Sequence, residues 1–326
     1  MATETRSPAA GEITWESLLG PHTFLGRILN PMIQKRRTLA GIMTWIGLFM
    51  LIAFVLIALL APLFSFVGLL RDPILPLCGS DYHYCLPGET RLVNQPPSGN
   101  AILGTDYLGR DLFTRVLWGA RTSLEIMAIG VILALLVGFP VGLYSGYTGG
   151  RLDRILVLVM DSIYAFPSLL LAALIAVILG KGVLNIGIAI TVIYVPLYFR
   201  VTRNHTLSVK QEMYVEAARA LGAKPWTVIW SYIAYNVVVA IPVIFALSAA
   251  DAILTAAGLS FLGYGIERPI PDWGLDLSDA QGFLSTGIWW TSFFPGIMIV
   301  LLTVGLSFLG EGLNDLVNPL LRKERI

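Results

Sequence analysis

Three groups of residues in this 326-residue chain have types and spacing that could do chemistry. The first is Glu216-Ala217-Ala218-x-x-x-Gly222, where two alanines present a small flat face, Glu216 offers a charged contact beside them, and Gly222 can close a helix. That chemistry is docking: another backbone could approach closely and push. The second is a set of acids within or beside apolar stretches: Glu125, Asp161, Asp251 and Glu311. Carboxylates are expensive in lipid and usually face a cavity or a partner. Glu125 and Asp251 could line a path favouring cationic or amine-bearing solutes. The plainer alternative is that Glu125 snorkels to an interface and Asp251 bonds to a neighbouring helix. The third is Cys78 and Cys85, which could close a small disulfide loop or remain a free pair. Metal binding there would have His83 as its sole imidazole. The other histidines, His22 and His205, lie in different segments, so neither a catalytic centre nor a metal site is expected. No Gly-x-x-x-x-Gly-Lys-[Ser/Thr] loop is present to cradle ATP phosphates.

The elements that must position these residues are membrane spans. The chain is 56% hydrophobic and 13% charged, about half the usual share of charge in a soluble protein. A net charge of +1 gives no general attraction to nucleic acid. Stretches of roughly 17–25 apolar residues can cross a lipid core. They run Gly41–Leu63, Leu124–Tyr147, Ile155–Gly180, Val183–Phe199, Ile233–Leu262 and Gly287–Gly310. The fold expected is an all-α polytopic membrane protein with six transmembrane helices and both ends on one side. Placing the N-terminus inside puts Lys35, Arg36, Arg37, Arg151, Arg154, Arg200, Arg203, Lys210, Arg219, Lys224, Arg322 and Lys323 on the inner side. The outer segments then carry Asp72, Asp81, Glu89, Asp106, Asp111, Glu267, Asp272, Asp276 and Asp279. The organisation is a cytoplasmic tail over 1–40, an anchor helix over 41–63 and an extracytoplasmic segment with an interfacial helix over 64–123. A five-helix core over 124–312 follows, with an inner loop at 200–232, and then a cytoplasmic tail over 313–326.

Two stretches invite closer reading. Asp106 with Arg110, and Asp111 with Arg115, are spaced four apart and would pair on a helix. Leu108, Leu112, Phe113, Val116 and Trp118 would then form its lipid-facing side. In the inner loop, Ser208-Val-Lys-Gln211 has the form of a capping box. A helix through Met213, Tyr214 and Leu221 would end at Gly222, and Pro225 would start a second one running through Trp226 and Trp230 into the fifth span. Such an elbow could transmit a push into the membrane, or be an ordinary amphipathic connector.

The run Glu216–Gly222 resembles the EAA loop of ATP-binding-cassette (ABC) transporter permeases. Family members usually continue to Leu-Pro-Asn, where this chain has Ala234-Tyr235-Asn236. Further blocks are similar to the C-type permease subunit of dipeptide/oligopeptide importers. They are Leu103-Gly104-Thr105-Asp106-x-x-Gly109-Arg110-Asp111, Arg151-x-Asp153-Arg154 with Phe166-Pro167, Leu259-Ser260-Phe261-Leu262-Gly263, Pro269-x-Pro271-x-Trp273-Gly274, and Trp289-Trp290 with Phe294-Pro295-Gly296. The resemblance spans about residues 40 to 322. It implies a type I importer permease fold in the cell (inner) membrane, with Glu216, Ala217, Ala218 and Gly222 coupling to ATPase subunits. It implies as partners a homologous second permease, two ATP-binding-cassette ATPases that bind ATP and Mg, and an extracytoplasmic solute-binding protein. No cofactor is expected in this chain. Structural pairing is expected for Asp161 and Glu311.

Peptides, nickel chelates, glutathione or haem are all conceivable solutes of such a system. The main alternative is a stand-alone ion-coupled secondary transporter, which would use discontinuous helices and paired acids at mid-depth. An intramembrane enzyme would need a cluster of catalytic residues that the sequence does not contain.

Overall fold

Residues 38–317 are described by a computed structural model. The tail arginines and lysines at 1–37 and 318–326, with Asn318-Pro319, lie outside the described residues. The chain runs as α1 (Leu39–Phe66), a short antiparallel pair β1 (Leu77–Cys78) and β2 (His83–Tyr84), α2 (Leu112–Thr148), α3 (Gly150–Tyr164), α4 (Ser168–Leu179) and α5 (Val183–Val209). Then follow α6 (Met213–Ala220), α7 (Pro225–Phe261), α8 (Trp273–Ala280) and α9 (Trp290–Val317). Helices α1, α2, α5, α7 and α9 are each long and apolar enough to cross a membrane. A helix closes most of its backbone hydrogen bonds internally, as lipid demands.

The expected third span is not one continuous helix. Helices α3 and α4 meet at 90°, the geometry of a broken span or a re-entrant loop; counted as one span, the pair brings the candidate crossings to six. The cause is local: Pro167 has no N–H to donate and disfavours helix at Phe166 before it. Pro167 accordingly takes ψ 122° at the head of α4. Hydropathy alone does not register such a bend.

The core is a sandwich of α2 and α5, flanked by α7, α9 and α1, with Ile126, Val131, Ile186, Ile190, Tyr198, Ile253 and Leu302 buried at its centre. Gly138 and Gly142 let α2 and α5 touch. A Cβ at Gly138 would stand 2.6 Å from Tyr198 Cβ and 2.8 Å from Val195 O. One at Gly142 would stand 2.7 Å from Phe199 O and 2.8 Å from Thr202 Cβ. Spaced four apart, the two lie on one helix face.

At the end formed by residues 67–111, the interfacial helix expected around Asp106 is not separate. Asp106 sits in a turn where its Oδ1 accepts from the backbone N–H of Leu108 (2.9 Å) and Arg110 (2.8 Å), while its Oδ2 pairs with the Arg110 side chain at 2.5 Å. Asp111 does not pair with Arg115; it caps α2, accepting from Thr114 N at 3.0 Å and Thr114 Oγ1 at 2.6 Å. Arg115 is fully buried and reaches Asp276 of α8 at 2.5 Å, donating also to the carbonyls of Pro73 and Pro269. Leu112 and Val116 pack on Trp290 instead of facing lipid. A partner 161 positions away is invisible to local spacing. The Trp273 indole N–H donates to Val116 O at 2.8 Å, seating α8 on α2.

Cys78 and Cys85 are joined as a disulfide across the β1–β2 hairpin, with Cα atoms 4.9 Å apart. Beside it His83 bridges Asp81 (2.8 Å) and Glu89 (2.9 Å). Hydrogen bonds to Asp81, then to Glu89, raise the imidazole pKa above its ordinary 6.5. The pKa of Asp81 is lowered first by its hydrogen bond to His83, and that of Glu89 first by the Leu86 backbone N–H.

Two predictions come from this packing. Gly142→Val should lower the stability of the purified protein by about 1–3 kcal/mol, the usual cost of overpacking. A thermal melt unchanged from the parent would disprove the close approach. The His83 contribution is fully present below pH 6.5 and lost as pH rises through its raised value. The carboxylate contributions are present above their ordinary range and lost as pH falls through the lowered values. Amide exchange over residues 79–90 should therefore be slowest in mildly acidic solution and accelerate above neutrality, beyond the base-catalysed trend of His83→Gln. Identical profiles for the two proteins would refute the bridge.

Candidate functional site

The Glu216–Gly222 elbow forms, with a different start from the one expected. Helix α5 continues to Val209, so Ser208 lies inside its last turn and its hydroxyl donates to Asn204 O. Glu212, not Ser208, precedes α6, with φ −70° and ψ 141°. The capping box is thus overridden by the persistence of α5. The far end is as expected: Gly222 has φ +83°, and Ala223 N donates to Ala218 O at 3.0 Å, a left-handed helix closure that strains any residue bearing a Cβ. Pro225 then opens α7.

The two alanines do not share a face. Ala218 is buried, as is Val215, which packs with Val228, Ile229, Ile233 and Leu143, while Glu216, Ala217 and Gly222 are exposed. Leu221 and Met213 are exposed as well, at 88% and 84%. The outward surface is therefore acid, small and apolar side by side.

Several bonds fasten this elbow to the spans. Lys210 Nζ donates to Gly146 O of α2 at 2.7 Å, and Arg219 lies 4.9 Å over the Tyr147 ring. Asn236 Nδ2 donates to Tyr214 Oη of α6 at 3.0 Å and to Tyr232 O at 2.8 Å. Asn236 is the position where the expected Leu-Pro-Asn survives, and the structure gives it this tie. Between elbow and span, α7 passes through a π-helical stretch, Val228–Ile233. At the same end, Arg203 grips Asp153 of α3 at 2.6 and 2.8 Å, and Ser145 Oγ donates to Asp153 at 2.6 Å. Asp153 and Arg203 were not singled out for pairing in the sequence, because the contact spans three helices.

The intramembrane acids separate. Glu125 pairs with Arg121 at 2.7 Å, both about half exposed, at the edge of a cavity of about 840 Å³ with Arg71, Tyr84 and Trp118. Asp161 pairs with Arg200 at 2.8 Å. Glu311 is exposed on α9, and among the described residues no basic group pairs with it. Asp251 lies in α7 and its Oδ2 accepts from Tyr194 Oη of α5 at 2.5 Å. It borders a second cavity of about 340 Å³, walled by Tyr164, Phe166, Ser168 and Leu197, where α3 and α4 break. Glu125 and Asp251 thus line different cavities. Among the described residues no group of three His, Cys, Asp or Glu could hold a metal ion.

Comparison with known proteins agrees with this architecture. The profile of the family described as "Binding-protein-dependent transport system inner membrane component" matches residues 138–323, which include the elbow, the α3–α4 break and Asp251. The dipeptide transport system permease protein of Alkalihalophilus pseudofirmus is 39% identical over 274 residues, covering 84% of each chain. The oligopeptide transport system permease protein of Bacillus subtilis is 37% identical over 280 residues, 85% of this chain and 86% of its own. The glutathione transport system permease protein of Pectobacterium atrosepticum is 37% identical over 230 residues, 71% of this chain and 76% of its own. With a family match over more than half its length and relatives this similar over more than four-fifths of it, the chain belongs to the inner-membrane permease family of binding-protein-dependent ABC importers.

Proposed function

We propose that the chain is one of two homologous permease subunits of an ATP-driven importer for peptides or related small solutes. The observation that carries this reading is the elbow: a helix with an exposed acid–small–apolar face, closed by a left-handed glycine and bonded to α2 and α7. Glu216, Ala217 and Gly222 meet a groove on an ATPase subunit, and Ala218 seats the elbow on its own span. ATP and Mg bind to two partner ATPases, and this chain carries out no hydrolysis and holds no cofactor. An extracytoplasmic solute-binding protein delivers the solute to the end bearing the disulfide, where Glu125 borders the outer mouth of the path. The protein sits in the cell (inner) membrane with N- and C-termini cytoplasmic, in keeping with the Lys and Arg bias towards the elbow end.

Closure of the ATPases displaces α6, and the ties from Lys210 and Asn236 pass that motion to α2 and α7. The path between the two permeases then turns from one side to the other. The break between α3 and α4 is a feature that a stand-alone ion-coupled carrier would also use. Such a carrier also needs paired mid-depth acids, whereas Asp251 has a tyrosine as its partner.

Glu216→Arg and Gly222→Val, tested separately, should leave the two permeases together but release the ATPases during purification in mild detergent. ATP-driven uptake should fall at least about tenfold, the equivalent of some 1.4 kcal/mol of lost docking. A homo-oligomer without ATPases that still transports after both replacements would favour the carrier.

A further inference from the structure

Asp251 lies ten residues from the end of α7 at Phe261, about 15 Å along the helix; with Phe261 at the membrane surface it stands near the middle of a lipid core about 30 Å thick. An ionised carboxylate at that depth requires a compensating group. The Tyr194 hydroxyl supplies one hydrogen bond, which orients the carboxylate, and is a neutral partner. Among the described residues no Arg, Lys or His pairs with Asp251. Arg200, which lies over the Tyr164 ring, is already engaged by Asp161.

We propose that the cavity at the α3–α4 break is a subsite for a primary ammonium group of the transported solute. Asp251 is its counter-charge, Tyr194 the group that aims the carboxylate, and Tyr164 and Phe166 its aromatic walls. This rests on the importer reading and adds to it the chemistry by which the membrane part of the path selects. Three observations favour ammonium over other cations. A metal ion needs several charged or carbonyl oxygens, and the cavity offers a single carboxylate. Phe166 borders the cavity and could give an ammonium ion cation–π attraction, whereas the Tyr164 ring already carries Arg200. The volume, about 340 Å³, falls in the range of small-molecule sites and is far larger than a bare ion requires. Glu125 is not part of this subsite, since it lines the other cavity and is paired with Arg121.

The test uses the whole complex, with Ser168→Cys placing a thiol on the cavity wall and Leu197→Cys as a second placement on α5. Cys78 and Cys85 are joined to each other, so among the described residues the new thiol is the free one. Its alkylation by N-ethylmaleimide is timed with trialanine and with N-acetyl-trialanine. Trialanine should slow the reaction several-fold, the acetylated peptide should not, and Asp251→Asn should abolish the difference. Equal protection by both peptides, protection by neither, or protection that survives Asp251→Asn would overturn the proposal. So would loss of the second permease from the Asp251→Asn complex, which would assign the carboxylate to the contact between the two permeases. The readout needs no turnover, so absence of ATP-driven uptake by the unsubstituted complex would count against the importer reading alone.

Discussion

The contact on which most else depends is the close approach of α2 and α5. Between helices in lipid there is no hydrophobic drive, because the surroundings are as apolar as the side chains. Association therefore rests on dispersion, which decays within fractions of an ångström. Gly138 and Gly142 bring backbone against backbone, and that contact fixes the sliding register of the two helices. Three things then follow from this register. Tyr194, on α5, is held where it can reach Asp251. Arg203, lower on α5, meets Asp153 of α3. Lys210, just past the end of α5, meets the carbonyl of Gly146 on α2, so the elbow inherits its position from the same interface.

A second fixed point lies at the opposite end, where charge is buried. Arg115 and Asp276 are both nearly free of solvent, with Asp106 and Arg110 beside them. Desolvating such groups costs several kcal/mol each, and the cost is offset only by close, well-directed contacts. The stabilising value of the cluster is therefore modest. Its specificity is high, because a displaced α8 would strand a guanidinium and a carboxylate. The cluster also ties the 67–111 segment, α2 and α8 together.

Much of this was legible in the sequence. Lipid-spanning length is a property of composition, so the first, second, fourth, fifth and sixth crossings appear wherever charge is absent for twenty residues. Gly222 and Pro225 announced the elbow because positive φ and a missing N–H have few other uses. What escaped was set by distance or by competition. Arg115 found Asp276 rather than the acid four residues before it, since Asp111 was already engaged in capping α2. Ser208 lost its capping role because α5, packed on α2, gains more by continuing. The turn of the chain at Phe166-Pro167 was hidden inside an unbroken apolar run, where hydropathy averages over direction. For Asp251, the alternatives read from sequence included a bond to a neighbouring helix, and Tyr194 supplies one; the cavity beside it could be known only from the fold.

The break between α3 and α4 has a consequence for hydration. A helix interrupted within the bilayer leaves the last carbonyls of one half and the first amides of the other without internal partners. Such groups persist in a membrane only where protein covers them or water reaches them. Pro167 therefore sets a requirement: the space beside it must be filled by protein or wetted. The twelve residues of α4 rise only about 18 Å, little more than half the thickness of the hydrocarbon. By itself α4 is too short to cross the hydrocarbon, so whatever meets its ends must satisfy the backbone groups exposed there.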